Sequence, residues 1–138
     1  MAKIKSKGTV FKQDISSVLT AVAQVISLNT SGAETETFDA DTLDNSDAGI
    51  PYDPTGRAEG GSVDMSLFFD PALIGHQEIT DYVTTPAKRN HSITFADDAS
   101  TAWTFTAAGL SFGVAVELAN GLVADVSYKV DKLISYAT

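Results

Sequence analysis

Hydrophobic and polar residues alternate along much of the second half of the chain. Between Ser62 and Asp70 every second side chain is apolar, and Ser or Asp stands at most of the positions between them. The same period of two recurs from 110 to 116 and from 122 to 130. Alternation of this kind is typical of β-strands that bury one face. The pattern therefore predicts strands whose inward side chains form a shared core.

Two further strands, 91–96 and 101–107, are predicted to form a hairpin around a turn at 97–100. Asn120 and Gly121 form the pair favoured in type I′ hairpin turns and separate the last two strands. Together these strands predict a mainly β domain, an antiparallel sandwich or barrel. The side chains expected to be mostly buried are Val63, Leu67, Phe69, Phe95, Trp103, Phe105, Phe112, Val126 and Tyr128.

One α-helix is predicted to flank the β core. Asp70 and Pro71 are typical of an N-cap and a first helical position, the residues 72–84 follow, and Pro86 ends the helix. The stretch 14–28 is ambiguous. Its apolar spacing fits a helix, whereas its β-branched residues favour a strand.

The remaining segments are predicted to be irregular. Residues 1–13 form an N-terminal arm that enters a short strand at 8–12. Residues 39–61 are rich in Asp, Asn, Ser, Gly and Pro and lack periodicity, which predicts a long loop. The apolar tip of that loop, Ile50 to Tyr52, suggests that it docks on another molecule.

Length and composition predict a single domain and argue against cysteine chemistry and a membrane span. The chain has 138 residues, which is the length of a single domain spanning 1–138, and it has no cysteine. No apolar run approaches the ~20 residues of a membrane span. The start lacks the apolar block of a secretory signal, so we expect synthesis in the cytoplasm and no membrane partner.

Charge is unevenly distributed. The net charge is −9, which argues against tight wrapping of nucleic acid. Four of the nine basic residues lie in the first twelve positions, whereas residues 31–70 contain ten acids and one base. A basic arm and an acidic middle could complement each other between copies of the chain. An ordinary solvated surface explains the same distribution equally well.

Signs of catalysis or metal binding are weak. His76 and His91 are far apart in sequence, and His76 is expected on the surface of the helix. The acids after Asp39 fail the EF-hand spacing, because Leu43 stands at its fifth position. There is no nucleophile elbow, P-loop or dinucleotide fingerprint. We therefore expect no enzyme activity, no cofactor and no metal.

The order of the segments is more specific than any one motif. The segments that carry this order are 8–11, 21–28, 38–44, 60–70, 92–96, 102–107 and 124–130. Taken together, they resemble the siphophage, lambda-type major tail tube protein family from about residue 8 to 136. The departures from the family pattern are the continuation through 133–136, where many members have glycine, and the N-terminal lysines.

The resemblance implies a β-sandwich with a flanking helix and favours a strand at about 20–29. It also implies hexameric rings that stack around a tape measure protein, join tail tip and terminator proteins, and later pass DNA. The protein would then belong to the virion tail. The alternatives are another tail-associated protein, such as a terminator, a baseplate hub or a secreted effector-tube homologue, and a monomeric β-sandwich binding module.

This role predicts two sets of surface residues. Three N-terminal lysines alternate, so an extended arm would point them one way, toward an acidic surface near 34–47 of a neighbour. Polar faces opposite the apolar ones are candidates for the lumen. The expected inter-ring contacts are Lys3, Lys5, Lys7, Asp44, Asp47, Ile50, Tyr52 and Asp53, and the lumen candidates are Asp64, Ser66, Glu117, Asp125 and Asp131.

Overall fold

A computed structural model of the chain describes residues 3–97, 99–119 and 121–136. Within these ranges most residues lie in antiparallel strands and one α-helix is present. The elements are β1 Val10–Ile15, β2 Val18–Ala21, β3 Val25–Ser31, β4 Glu34–Asp39, β5 Tyr52–Glu59, β6 Ser62–Phe68, α1 Ile74–Thr84, β7 Arg89–Thr94, β8 Ala102–Glu117 and β9 Gly121–Ser135.

Seven of the strands form one sheet in the order β2-β1-β7-β8-β9-β6-β3. The consecutive strands β2 and β3 are its two edges, yet only residues 22–24 join them. The four steps from Ala21 to Val25 reach about 14 Å at most, so the sheet must curl until its edges approach each other. The connector bonds to both sides, from Val22 N to Phe11 O (2.8 Å) and from Phe68 N to Gln24 O (3.0 Å). The result is an incompletely closed barrel, as the strand patterns predicted.

Helix α1 covers the end of the barrel where the connector crosses. Gly75 faces Val22 of the connector, where a Cβ would be in ordinary van der Waals contact, 3.6 Å from Val22 Cα. His76 Nδ1 accepts a hydrogen bond from Asp70 N (2.9 Å), and its Nε2 therefore donates to Ala23 O (2.8 Å). Tyr82 Oη donates to Ala107 O (2.7 Å). These bonds join the helix to the connector and to the central strand β8.

Two expectations about the helix were wrong. His76 is fully buried, because its two ring nitrogens link the helix to the connector. The helix begins at Ile74 with Leu73 as N-cap. Asp70 instead accepts a hydrogen bond from Ala72 N (2.9 Å) in the turn that precedes the helix.

The core contains five of the nine predicted residues: Val63, Leu67, Phe105, Val126 and Tyr128. The other four predicted core residues are only partly buried and pack against the core: Phe69, Phe95, Trp103 and Phe112. The first three lie at or just beyond strand ends, whereas Phe112 lies within β8 and its ring packs 5.6 Å from that of Phe69.

A polar pair lies inside this core. Gln13 of β1 is the register partner of His91 on β7, and both are fully buried. Tyr128 Oη donates to Gln13 Oε1 (3.1 Å), and the His91 ring lies 4.6 Å from the Tyr128 ring and 5.2 Å from the Phe105 ring. Burial, with a smaller contribution from the charge of Arg89, lowers the pKa of His91 to about 3. His91 is therefore neutral near pH 7.

The segment 14–28 is neither a helix nor one strand. Ser16 and Ser17 have positive φ angles of 52° and 68° and form a two-residue hairpin between β1 and β2. A positive φ of 63° at Gln24 then redirects the chain into β3. The strand expected at about 20–29 is thus divided between the two edges of the sheet.

Two further differences concern β8 and its turn. The strands expected at 101–107 and 110–116 are one strand, Ala102–Glu117, with irregular pairing near Thr104 and Ala107. Asn120 lies outside the described residues. Gly121 has a φ of +73° and pairs with Glu117.

Candidate assembly surfaces

The strands β3 and β6 continue into β4 and β5 as one long ribbon. Pairing of β3 with β6 ends at Ser31 and Ser62, and pairing of β4 with β5 resumes at Glu34 and Glu59. We call residues 34–59 the hairpin arm. It is a two-stranded sheet separate from the barrel.

Glycines make the bend between the barrel and the arm. Gly32 and Gly61 both have positive φ, 79° and 78°. A Cβ on Gly61 would overlap the carbonyl oxygen of Ser31, and one on Gly60 would overlap the carbonyl oxygen of Lys132. The backbones are therefore too close here for side chains.

The predicted loop 39–61 is shorter than expected, because Tyr52–Glu59 form a strand. Both faces of β4 and β5 are exposed, so the sequence of the arm shows no alternation. Pro54 is compatible with this strand because a two-stranded sheet leaves one backbone edge of each strand unpaired.

The tip of the arm, residues 38–53, combines acidic and exposed apolar side chains. Leu43 is fully exposed, and 53% of Ile50 and 61% of Tyr52 are exposed. The described part of the chain therefore leaves more than half of each of these side chains open to solvent. The structure thus places the predicted contact residues Asp44, Asp47, Ile50, Tyr52 and Asp53 together at the tip.

Local hydrogen bonds give the tip a defined shape. Asp39 Oδ1 accepts from Asp41 N (2.8 Å), and Asp41 Oδ1 accepts from Asn45 Nδ2 (2.7 Å). Thr42 Oγ1 donates to Asp44 Oδ1 (2.5 Å), and this bond is the main cause that lowers the pKa of Asp44. The carboxylates at the tip therefore act as turn-forming groups while they remain charged.

The N-terminal segment, residues 3–9, lies beside β3 and the barrel. It is exposed, with a turn closed by Thr9 N and Ser6 O (3.2 Å). The extended geometry that would align Lys3, Lys5 and Lys7 is therefore interrupted before Lys7, and β1 begins at Val10 rather than at residue 8.

A groove of about 960 Å³ separates the N-terminal segment from β3. Lys5 and Lys7 lie along one wall. Residues 25–30 of β3 form the other wall, and Ile93, Phe95 and Trp103 line it from the barrel. The groove is thus the seam where the barrel remains open, beside the unpaired edge of β3.

A second surface covers the outer face of the strands β3, β6, β9 and β8. Asp64 pairs with Asn29 on one side and Ser127 on the other, and Ser127 Oγ donates to Asp64 Oδ1 (2.6 Å). In the adjacent row Ser66 Oγ donates to Asp125 Oδ1 (2.7 Å). We call this surface the polar platform; its members are Ser27, Asn29, Asp64, Ser66, Ser111, Asp125 and Ser127.

The platform contains three of the five predicted lumen residues: Asp64, Ser66 and Asp125. The structure does not bring Asp131 and Glu117 to it. Asp131 forms an ion pair with Lys88 (3.2 Å), and Glu117 lies at the end of β8. The other four members, Ser27, Asn29, Ser111 and Ser127, were not among the predicted lumen residues, because only the strand pairing identifies them as neighbours of Asp64 and Asp125.

In the described part of the chain, no group of three or more His, Asp or Glu residues could hold a metal ion. No helix in the same ranges is long and apolar enough to cross a membrane. The acidic residues of the platform accept hydrogen bonds from serines, and Lys129 lies in the next row of the same face.

The sequence matches a protein-family model described as lambda phage tail tube protein, over residues 3–131. Comparison with curated proteins found no match.

Several solved structures share the fold. The tail of an empty gene transfer agent particle is 12% identical with a TM-score of 0.75, covering 97% of this chain and 98% of that one. A sheath/tube terminator of an extracellular contractile injection system is also 12% identical, with a TM-score of 0.72 and coverage of 100% and 99%. The SPP1 tail tube has 12% identity, a TM-score of 0.59 and coverage of 94% and 76%. Because tube and terminator proteins share it, the fold alone does not separate these two roles.

Proposed function

The chain belongs to the lambda phage tail tube protein family, and from this premise we propose that its copies close into hexameric rings that stack into a hollow tail tube. Its role is structural, as that of the family is. The observation that carries the stacking proposal is the hairpin arm, whose apolar side chains are exposed in the isolated chain.

The arm is proposed to make the contact between successive rings. Leu43 and Ile50 are exposed apolar side chains at the tip of the arm. Covering such side chains with another molecule removes apolar surface from water and so stabilises the contact. The arm extends beyond the barrel and therefore suits a partner above or below the ring. Local hydrogen bonds already shape the tip, so docking costs less chain entropy than ordering a free loop would.

The polar platform is the proposed lining of the tube. Its side chains are small, and its carboxylates Asp64 and Asp125 carry charge of the same sign as DNA phosphates. A surface with few basic groups avoids the phosphate contacts that dominate protein–DNA affinity. DNA could then pass along it without being held.

The remaining roles follow from the same assembly. We propose that the tube surrounds a tape measure protein and ends on tail tip and terminator proteins. The chain would be made in the host cytoplasm, reside in the virion tail and carry out no catalysis.

The proposal is tested by electron microscopy of purified protein. Wild-type chains are expected to form rings and tubes with a central channel. A variant lacking residues 41–50 should remain folded and soluble but form no tubes, because these residues lie outside the barrel. Tubes of normal length from this variant would contradict the role of the arm, and monomers from the wild type would contradict the tube.

A further inference from the structure

We propose that the groove between the N-terminal segment and β3 is the receptor for the tip of the hairpin arm of another copy of this chain, in the adjacent ring. This inference rests on the proposed stacking of rings. It adds the receiving surface, and therefore states which residues of two subunits meet.

The groove has the apolar character that the tip requires. Phe95 and Trp103 form an edge-to-face pair at 4.9 Å, and Trp103 makes a second one with Tyr136 at 4.7 Å. Ile26 on the β3 wall is 50% exposed, and Ile4 on the opposite wall is 59% exposed. Side chains such as Leu43 and Ile50 could cover this surface and be covered by it.

Charge favours the same pairing. The groove is lined by Lys5 and Lys7 and by no acidic residue. The tip, residues 38–53, contains five aspartates and no basic residue. Opposite charge around an apolar contact selects the partner and accelerates its approach. The groove therefore suits an acidic tip better than a basic or neutral one.

The occupant must come from a second copy. Residues 25–30 of β3 form the groove wall, and the hairpin arm leaves the barrel at the end of this same strand, at Ser31. The tip of the arm remains exposed within its own chain. The groove also follows the free edge of β3, where backbone groups have no strand partner on the described chain. An incoming hairpin could bond to this edge as well as fill the groove.

Disulfide trapping in assembled tubes tests the contact directly, because the chain has no cysteine of its own. Ile26→Cys and Ile50→Cys are combined in one chain, so that oxidation of tubes links successive rings. We expect a ladder of covalent multimers on a non-reducing gel. The matched control combines Ile26→Cys with Val116→Cys, an apolar residue that is 79% exposed at the β8–β9 tip, and should remain monomeric. A ladder of equal strength from the control, or none from the test pair, would overturn the proposal.

Charge reversal provides an independent test. Lys5→Glu with Lys7→Glu should slow tube growth at low salt, and so should Asp44→Lys with Asp47→Lys. Combining all four changes should restore growth if the two sets face each other. A fourfold variant that grows no faster than either parent would contradict the pairing.

The outcomes separate this inference from the proposed function. Wild-type chains that form no tubes refute the tube itself. Tubes that need the arm but give no cross-link refute only the groove as its receptor. Trp103, the single tryptophan, supplies a third readout, since iodide quenching of its fluorescence should fall on assembly when the groove is covered. Unchanged quenching would count against the groove.

Discussion

The barrel and the hairpin arm are built from the same kind of strand pairing, but only the barrel has a core. On the barrel strand β6, Val63, Met65 and Leu67 are almost completely buried. In the arm, every residue of β4 and β5 is exposed. An isolated two-stranded sheet is at best marginally stable in water, so the arm depends on the ribbon from which it extends. Folding stability therefore resides in the barrel, and the proposed assembly contact at the arm tip contributes little to it.

The interactions within the arm agree with this division. Its ion pair between Arg57 and Glu36 spans 3.9 Å and is exposed, so it contributes at most about 1 kcal/mol. Its shape comes mainly from the glycine bend and the aspartate turns. We therefore expect substitutions in the barrel core to change the free energy of unfolding, and substitutions at the arm tip to change assembly.

The largest effect is expected in the barrel core. Phe105→Ala should lower the free energy of unfolding by about 3–5 kcal/mol, because Phe105 packs among Phe11, His91 and Tyr128. Phe38→Ala, the matched change in the arm where the ring is 50% exposed, should cost less than about 1 kcal/mol. Urea denaturation measures both. Equal losses would contradict the division between barrel and arm.

The next effect is a pH dependence that belongs to the barrel. His91 binds a proton with a pKa of about 3 in the folded chain and near 6.5 when unfolded. Below pH 6.5 the unfolded chain therefore binds more protons, and this contribution to stability falls by about 1.4 kcal/mol per pH unit toward pH 3.

The pH prediction can be checked with His91→Leu, which removes the titrating group. Its unfolding free energy should depend less on pH between 6.5 and 4 than that of the wild type. The neighbouring tyrosines Tyr82 and Tyr128, whose pKa values are raised by burial, stay neutral over this range. Identical slopes for the two proteins would contradict the assignment to His91.

A smaller effect is expected at the bend between the two regions. Gly61 has a positive φ, and an added Cβ would overlap the carbonyl oxygen of Ser31. Gly61→Ala should therefore lower the free energy of unfolding by about 2–3 kcal/mol. Gly56 also has a positive φ but has open space around it, so Gly56→Ala should lower the free energy of unfolding by only about 1 kcal/mol. Thermal unfolding of the two variants compares them. A greater loss at Gly56 would show that overlap at the bend is unimportant.

The smallest effect on stability is expected at the arm tip, together with a complete effect on assembly. Leu43→Ser with Ile50→Ser should leave the melting temperature within about 1–2 °C of the wild type, because both side chains are exposed. The same variant should fail to form tubes in light scattering. The control, Val116→Ser, changes an exposed residue outside the tip and should assemble normally. Tubes from the tip variant would contradict the assembly role.

The sequence by itself determined the β-rich class, the single helix and the inward faces of β6 and β9. Each of these follows from a local pattern, because a strand that buries one face must alternate along its own length. The family was also recognisable, since the order of short segments is retained where individual motifs are weak. The acidic, apolar tip was predicted as an interaction surface from composition alone, and its role in contacts stays a prediction.

Other features depended on contacts between distant residues, and only the tertiary structure decided them. The arm strand β5 was predicted as loop because a ribbon exposed on both faces has no alternation. His76 appeared to be a surface residue, since its burial arises from the sheet edges meeting beneath the helix. The groove and the polar platform are formed by strands far apart in sequence, and their membership is fixed by pairing register, which no single segment encodes.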